Sequence, residues 1–221
     1  MGELSVSIFR LRWVGYALFV LSLLDSIAVL IPPNLMNPAW ELQTIGALVE
    51  RVPVPLLGLA LIFMGEDEER GNLEGILLKV LSWVCLLSAV IFLLMLPLGI
   101  FNTVKLNSQA NTQIAAQSQQ QLSQLQQVEE RLQKGSAQDL KNLADELKRM
   151  GLEVKTQNPE ELKNQILARI TPAKEQLKQQ TNAVKQNQGI ALIKTSVKWM
   201  IGAVISAILF FTMWKGTDWA R

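Results

Sequence analysis

Four long apolar segments limit what this 221-residue chain can fold into. Each is close to the roughly 20 residues that an α-helix needs to cross about 30 Å of hydrocarbon. The segments are residues 13–31, 44–64, 76–101 and 190–214. Apolar residues make up 49% of the chain, which is too high for an ordinary soluble domain once they cluster in this way. The sequence therefore predicts an all-α integral membrane protein with four transmembrane helices, three of them in a membrane domain of residues 1–104.

Three charged side chains fall inside the first two segments. Asp25 lies six residues before the end of the first segment, and Glu50 and Arg51 lie about as deep in the second. An ionised side chain at the centre of a membrane helix costs about 3 kcal/mol on insertion scales, so it needs a partner, water or a function. At 1.5 Å per residue, Asp25 and Arg51 share a depth of about 10 Å. We expect these two to pair, with Glu50 facing another polar group or a pocket.

This charge cluster has two interpretations. The first is a structural ion pair that sets how the first two helices pack, and the second is a pathway for a proton or an ion. Pro53 and Pro55 follow directly and predict a kink that frees backbone carbonyls beside the charges. Broken helices line binding sites in transporters, but most membrane prolines are only kinks, so the structural interpretation is favoured.

Residues 105–189 differ from the rest of the chain. Eighteen of these 85 residues are Gln, and Trp, Tyr and Phe are absent. Apolar residues recur at steps of three and four, which favours helices over a disordered linker. The predicted interaction stripes are Leu122, Leu125 and Leu132, then Leu140, Leu143 and Leu147, then Leu162, Ile166 and Ile170. Such narrow stripes predict a helical stalk, a coiled-coil hairpin or small bundle, that packs on itself, on other proteins or on further copies of the chain.

The last predicted domain, residues 190–221, holds the fourth span and a short tail. Gly202 and Ser206 stand four residues apart and predict a close helix-packing face or a dimer face. The single cysteine, Cys85, is interpreted as a packing residue. Because the chain has no histidine and no catalytic motif, we expect no catalytic residue, metal or cofactor and no enzyme activity. The near-neutral charge of +2 argues against nucleic acid, so the expected partners are membrane lipid and proteins.

Positive charges suggest an orientation. Arg10 and Arg12 precede the first span, and Lys215 and Arg221 follow the last. The positive-inside tendency then predicts cytoplasmic N- and C-termini, with the stalk in the periplasm or the thylakoid lumen.

The first half of the chain resembles a known family. The segment IPPNLMNPAWELQTIGALVERVPVPLLGLALIFMG, together with PLGIFNT after the third span, is similar to the HpsJ family of cyanobacterial membrane proteins. The similarity is dense over residues 11–107 and loose over the Gln-rich block. It implies a membrane protein of the plasma membrane or thylakoid, linked to polysaccharide export and gliding motility, and it implies no reaction.

Three functions follow from these observations. The first is a non-enzymatic scaffold or accessory protein that acts through stalk-mediated protein interactions. The second is a transporter or membrane enzyme that uses Asp25, Glu50 and Arg51 on a proton, a lipid headgroup or a lipid-linked sugar. The third is a thylakoid accessory of a photosynthetic complex.

Overall fold

The structure is a computed structural model that describes residues 2–65, 71–134 and 159–221. Within these ranges the chain is helical and has no strand. The helices are α1 (Gly2–Val29), α2 (Pro38–Arg51), α3 (Pro53–Phe63), α4 (Asn72–Lys134) and α5 (Pro159–Gly216), followed by a 3-10 turn at Asp218–Ala220. The predicted all-α fold class is confirmed.

Four helical stretches are long and apolar enough to cross a membrane. They are Ser7–Val29, Pro38–Phe63, and the apolar parts of α4 and α5. No more than a third of the most apolar window of each stretch is buried inside the protein. The other residues of these windows are exposed or half-buried, so much of the apolar surface of these helices is uncovered.

The second stretch is two helices with a break between them. Asn37 caps the start of α2, because its Oδ1 accepts hydrogen bonds from the amides of Ala39 at 3.0 Å and Trp40 at 3.5 Å. At the other end the amide of Val52 bonds back three residues rather than four, and Pro53 begins α3. The break lies directly after the charged pair, at the prolines where a kink was predicted.

Two helices extend beyond the apolar segments. Helix α4 runs through Pro97 and past residue 101 into the Gln-rich block, and α5 begins at Pro159, before the apolar segment that starts at residue 190. The helices continue there because glutamine sustains a helix almost as well as leucine does and alanine sustains it better. Pro172 and Gly189 are accommodated inside α5, since each weakens only its own turn of a 58-residue helix.

The chain forms two compact units. The first unit comprises the residues up to Leu106 and Ala191–Arg221, and the second, here called the Gln-rich unit, lies within Asn107–Ile190. The core of the first unit includes the fully buried Leu59, Ile62 and Cys85. Helices α4 and α5 meet in this core where the rings of Phe92 and Phe210 stack at 5.8 Å.

The Gln-rich unit pairs the end of α4 with the start of α5. Its buried apolar cluster is small: Leu132 and Ile170 are buried, with Val128 and Ile166 packed against them. Polar contacts continue the seam. The hydroxyls of Ser118 and Thr181 lie 2.9 Å apart, and Glu129 pairs with Lys174.

The structure describes only part of the predicted stripes. Leu122 and Leu125 are half-buried, in keeping with a place on the seam. Leu140, Leu143 and Leu147 lie outside the described residues. Leu162 belongs to α5, and its side chain also lies outside the description.

Candidate functional site

Below the upper end of the first unit, where α1 ends and α2 begins, a charged pair joins Asp25 of α1 to Arg51, the last residue of α2. Arg51 Nε donates a hydrogen bond to Asp25 Oδ2. Arg51 Nη1 donates a second bond, of 3.2 Å, to the carbonyl oxygen of Ala47 one turn earlier. The pair that was predicted from matching depths is therefore present. Both side chains are about half exposed, at 40% for Arg51 and 52% for Asp25.

Glu50 forms a second charged contact, on the other side of α2. Its Oε1 accepts hydrogen bonds from Lys198 Nζ at 2.9 Å and from Trp199 Nε1 at 3.1 Å. Sequence analysis expected a polar neighbour for Glu50 but did not identify it. Lys198 and Trp199 belong to α5, so this contact joins α2 to the last helix of the unit.

Glycine makes room for the indole that reaches Glu50. A Cβ atom on Gly46 would overlap the ring of Trp199, so only glycine leaves the space that the ring occupies. The same helix pair continues one turn further down, where a Cβ atom on Gly202 would overlap Cγ1 of Val49. The predicted packing residue Gly202 thus faces α2, and Ser206 is buried with its hydroxyl donating to the Gly202 carbonyl at 2.7 Å.

Glu41 links α2 to a third helix. Its Oε2 accepts a hydrogen bond of 2.6 Å from Asn102 Nδ2 of α4, and its Oε1 accepts one of 3.0 Å from the amide of Met36. The Asn102 side chain is almost fully buried, so the bond satisfies a polar group that would otherwise be costly to bury. Helix α2 therefore makes a polar contact with each of α1, α4 and α5.

An apolar groove borders the Asp25–Arg51 pair. Its volume is about 410 Å³, and its walls come from α1, the α2–α3 break, α4 and Phe210 of α5. Its lining includes the hydroxyl side chains of Ser22, Ser26 and Ser88. Arg51 is the charged side chain of this lining.

The lower end of the unit, where α3 ends and α4 begins, is held by Arg12. Its Nε donates to the carbonyl of Met64 at 3.1 Å and its Nη2 to that of Gly65 at 3.0 Å, while Nη1 lies 3.8 Å from Glu74. These bonds satisfy carbonyls just beyond the C-terminus of α3, where a positive charge is favourable. Sequence analysis used Arg12 only as an orientation signal and missed this role.

Helices α1 and α3 touch through glycines that sequence analysis also missed. A Cβ atom on Gly58 would lie 2.9 Å from the carbonyl oxygen of Gly15, and one on Gly15 would lie 2.7 Å from that of Gly58. The two backbones are therefore in direct contact. Gly58 is the single glycine of α3, and the other glycine of α1, Gly2, lies at the start of that helix, so the spacing of glycines along one segment could not have revealed the pair.

Comparison with known proteins gives one match. The family model described as HpsJ-like protein matches residues 6–218, which is nearly the whole chain. No curated protein and no solved structure matches. The match includes the Gln-rich block, where the resemblance read from the sequence was loose.

Proposed function

Because the chain belongs to the HpsJ-like protein family, we propose that it is a non-enzymatic accessory protein of a cyanobacterial membrane, linked to polysaccharide export and gliding motility. Four helices anchor it in the bilayer. The Gln-rich unit recruits protein partners of the export machinery or further copies of the chain. The observation that carries this proposal is the thin seam of the Gln-rich unit.

The apolar surface of the first unit supports membrane insertion. Leu21 of α1 is 62% exposed, Leu94 of α4 is 64% exposed and Ile208 of α5 is 56% exposed, and many similar residues lie between them. Soluble proteins rarely expose a continuous apolar surface of this extent. Lipid chains would cover it without any rearrangement of the helices.

The seam of the Gln-rich unit supports a partner. Leu132 and Ile170 are its two buried apolar residues among those described, and most of the remaining contacts are polar or half-buried. A helix pair that buries so little apolar surface gains little stability from its own packing. Binding to another helical protein, or to a second copy, would supply the missing burial.

The charged contacts support a structural role for the cluster. Asp25 is paired with Arg51, and Glu50 is paired with Lys198, so each carboxylate has a cation beside it. A relay would need a succession of titratable groups along a path. These pairs instead connect α2 to α1 and to α5, which sets the packing of the unit.

The orientation follows from the charges that flank the helices. Arg10, Arg12 and Lys215 lie at the lower end, which we place in the cytoplasm by the positive-inside tendency. The Gln-rich unit is too polar to enter hydrocarbon and lies in the periplasm or the lumen. This places it where exported polysaccharide passes.

The test is a gene deletion with complementation. We expect the deletion strain to secrete less polysaccharide and to glide less, and the wild-type gene to restore both. Glu50→Gln should restore both as well, in proportion to the amount of protein in the membrane. A deletion strain that secretes and glides normally would contradict the link to export. If Glu50→Gln is produced at the normal level but restores nothing, the transporter or enzyme alternative is correct.

A further inference from the structure

The groove beside the α2–α3 break combines one charged side chain with walls that are mostly apolar. Arg51 is that charged side chain, and the wall on α4 runs from Val84 to Met95, a rise of eleven residues or about 16 Å. The hydroxyls of Ser22 and Ser26 lie on the opposite wall, but each donates at 2.8 Å to a carbonyl of its own helix. Their donors are therefore used, and the body of the groove offers a ligand mainly hydrocarbon contacts.

Arg51 has hydrogen-bond donors that no described residue accepts. The guanidinium carries five N–H hydrogens. One is donated to Asp25 and one to the carbonyl of Ala47, which leaves both hydrogens on Nη2 and one on Nη1. A guanidinium edge with free donors matches two oxygens of a phosphate. The side chain is 40% exposed and belongs to the lining of the groove.

The helix break adds a polar group beside the Arg51 side chain. Pro55 has no amide hydrogen, so the carbonyl of Arg51, four residues earlier, lacks its usual helical donor. The break also ends α2 at Arg51, so the side chain emerges at the α2–α3 junction and not from the middle of a regular helix. The guanidinium of Arg51 therefore lies at the break, and most of the rest of the lining is apolar.

We propose that this groove binds a phosphate-bearing membrane lipid, with one hydrocarbon chain between α1 and α4 and the phosphate on Arg51. The proposal rests on the membrane insertion proposed above. The polarity of the groove matches an amphiphile. It does not match a free sugar or a peptide, because either would leave polar groups unpaired against the apolar walls. A volume of about 410 Å³ is within the range of small-molecule sites and limits the occupant to about one chain.

Photocrosslinking tests the site. The full chain is reconstituted into vesicles of digalactosyldiacylglycerol, a bilayer lipid without phosphate. A trace of phosphatidylglycerol with a photoreactive acyl chain is added, and labelled positions are mapped by mass spectrometry. We expect labels to concentrate on groove residues such as Ser88 and Met95, above the level on the exposed Leu94 of the same helix. Carbonate extraction of the same vesicles measures membrane insertion independently of lipid binding. A failure of the protein to insert is therefore distinguished from a failure of the groove to bind the lipid.

Two variants locate the hydrocarbon chain. Ser88→Phe places a ring in the groove and should reduce groove labelling to the level of the exposed surface. Leu87→Phe adds an aromatic ring at the neighbouring position, which is 59% exposed and outside the lining, and should leave groove labelling unchanged. Equal labelling in both variants would overturn the assignment of the groove.

A second comparison tests whether the site recognises the phosphate group of the lipid. A photoreactive diacylglycerol with the same chains should label the groove about tenfold less, the loss expected for one charge-assisted phosphate contact. The double variant Asp25→Asn/Arg51→Gln removes the guanidinium without leaving a lone charge and should remove this difference between the two probes. Equal labelling of the wild-type groove by both probes would overturn phosphate recognition. Displacement of the lipid probe by inorganic phosphate alone would overturn the lipid as the source.

Discussion

The backbones of Gly15 and Gly58 touch, so that a side chain on either residue would collide with the carbonyl oxygen of the other. This contact locks α1 onto α3 at the level of the core. It leaves the upper half of α1, which carries Asp25, to reach α2 and to border the groove. The geometry of the upper end therefore depends on two glycines that carry no chemistry of their own.

Gly58→Ala should destabilise the protein by about 1–3 kcal/mol, because the methyl group meets backbone rather than a flexible side chain. Gly75→Ala is the matched control: Gly75 lies in α4 with open space around it, and alanine there should stabilise the helix by about 0.5–1 kcal/mol. Thermal unfolding can be followed by alkylation of Cys85, the single cysteine, which is fully buried. A Gly58→Ala protein that unfolds at the wild-type temperature or above would contradict the close contact.

Arg51→Gln should lower the unfolding temperature more than the double change Asp25→Asn/Arg51→Gln does. The single variant leaves the Asp25 carboxylate without its partner in an apolar setting, whereas the double variant leaves no charge. We expect a coupling free energy of about 1 kcal/mol from the double-mutant cycle. Strict additivity of the single effects would show that the pair does not stabilise the fold.

Gly46→Ala should displace the indole of Trp199 and weaken the contact with Glu50. Its cost should exceed that of Trp199→Phe, which removes one hydrogen bond worth about 1 kcal/mol and leaves an aromatic ring of smaller size. Adding Trp199→Leu to Gly46→Ala should recover part of the loss, since the smaller side chain makes room for the methyl group. Tryptophan fluorescence reports the displacement of the indole, and the alkylation of Cys85 reports the stability of the protein. A Gly46→Ala protein with unchanged stability would show that the indole shifts at no cost.

The Gln-rich unit should depend on the ion pair of Glu129 with Lys174. Glu129→Lys places two cations together and should weaken the helix pair, and the exchange Glu129→Lys/Lys174→Glu should restore it. Limited proteolysis of the purified protein measures the opening of this unit, with cleavage inside residues 107–134 as the readout. If the exchanged protein is cleaved as fast as the single variant, the two side chains do not meet.

Much of the architecture could be predicted from local patterns. Apolar length indicates the four spans, Asn37 marks the start of α2, and Pro53 marks the break. The Asp25–Arg51 pair could be predicted because α1 and α2 are consecutive helices joined by a short connection. Depth alone then brings the two charges to the same level.

The remaining contacts depend on which helices become neighbours. Glu50 and Lys198 are 148 residues apart, and no local pattern pairs α2 with α5. The hydrogen bond from Asn102 to Glu41 could not be predicted either, because the acceptor of a buried side-chain amide is fixed only once the helices have packed together. Helices α4 and α5 continue across residues 101 and 190 because hydropathy changes there while helix propensity does not, so hydropathy marks the apolar segments and not the helix ends.

Site-directed labelling of intact cells tests most directly whether the protein spans a membrane and presents the Gln-rich unit on its outer side. Cys85→Ala provides a background without thiols, into which either Gln124→Cys or Leu73→Cys is introduced. Both positions are exposed, Gln124 in the Gln-rich unit and Leu73 at the start of α4. If the protein lies in the plasma membrane, we predict that an impermeant maleimide labels Gln124→Cys in intact cells and does not label Leu73→Cys until the cells are lysed. If it lies in the thylakoid, we predict that the maleimide labels Leu73→Cys in right-side-out preparations and labels Gln124→Cys only after the lumen is opened. The reverse pattern would place the Gln-rich unit in the cytoplasm and contradict the account.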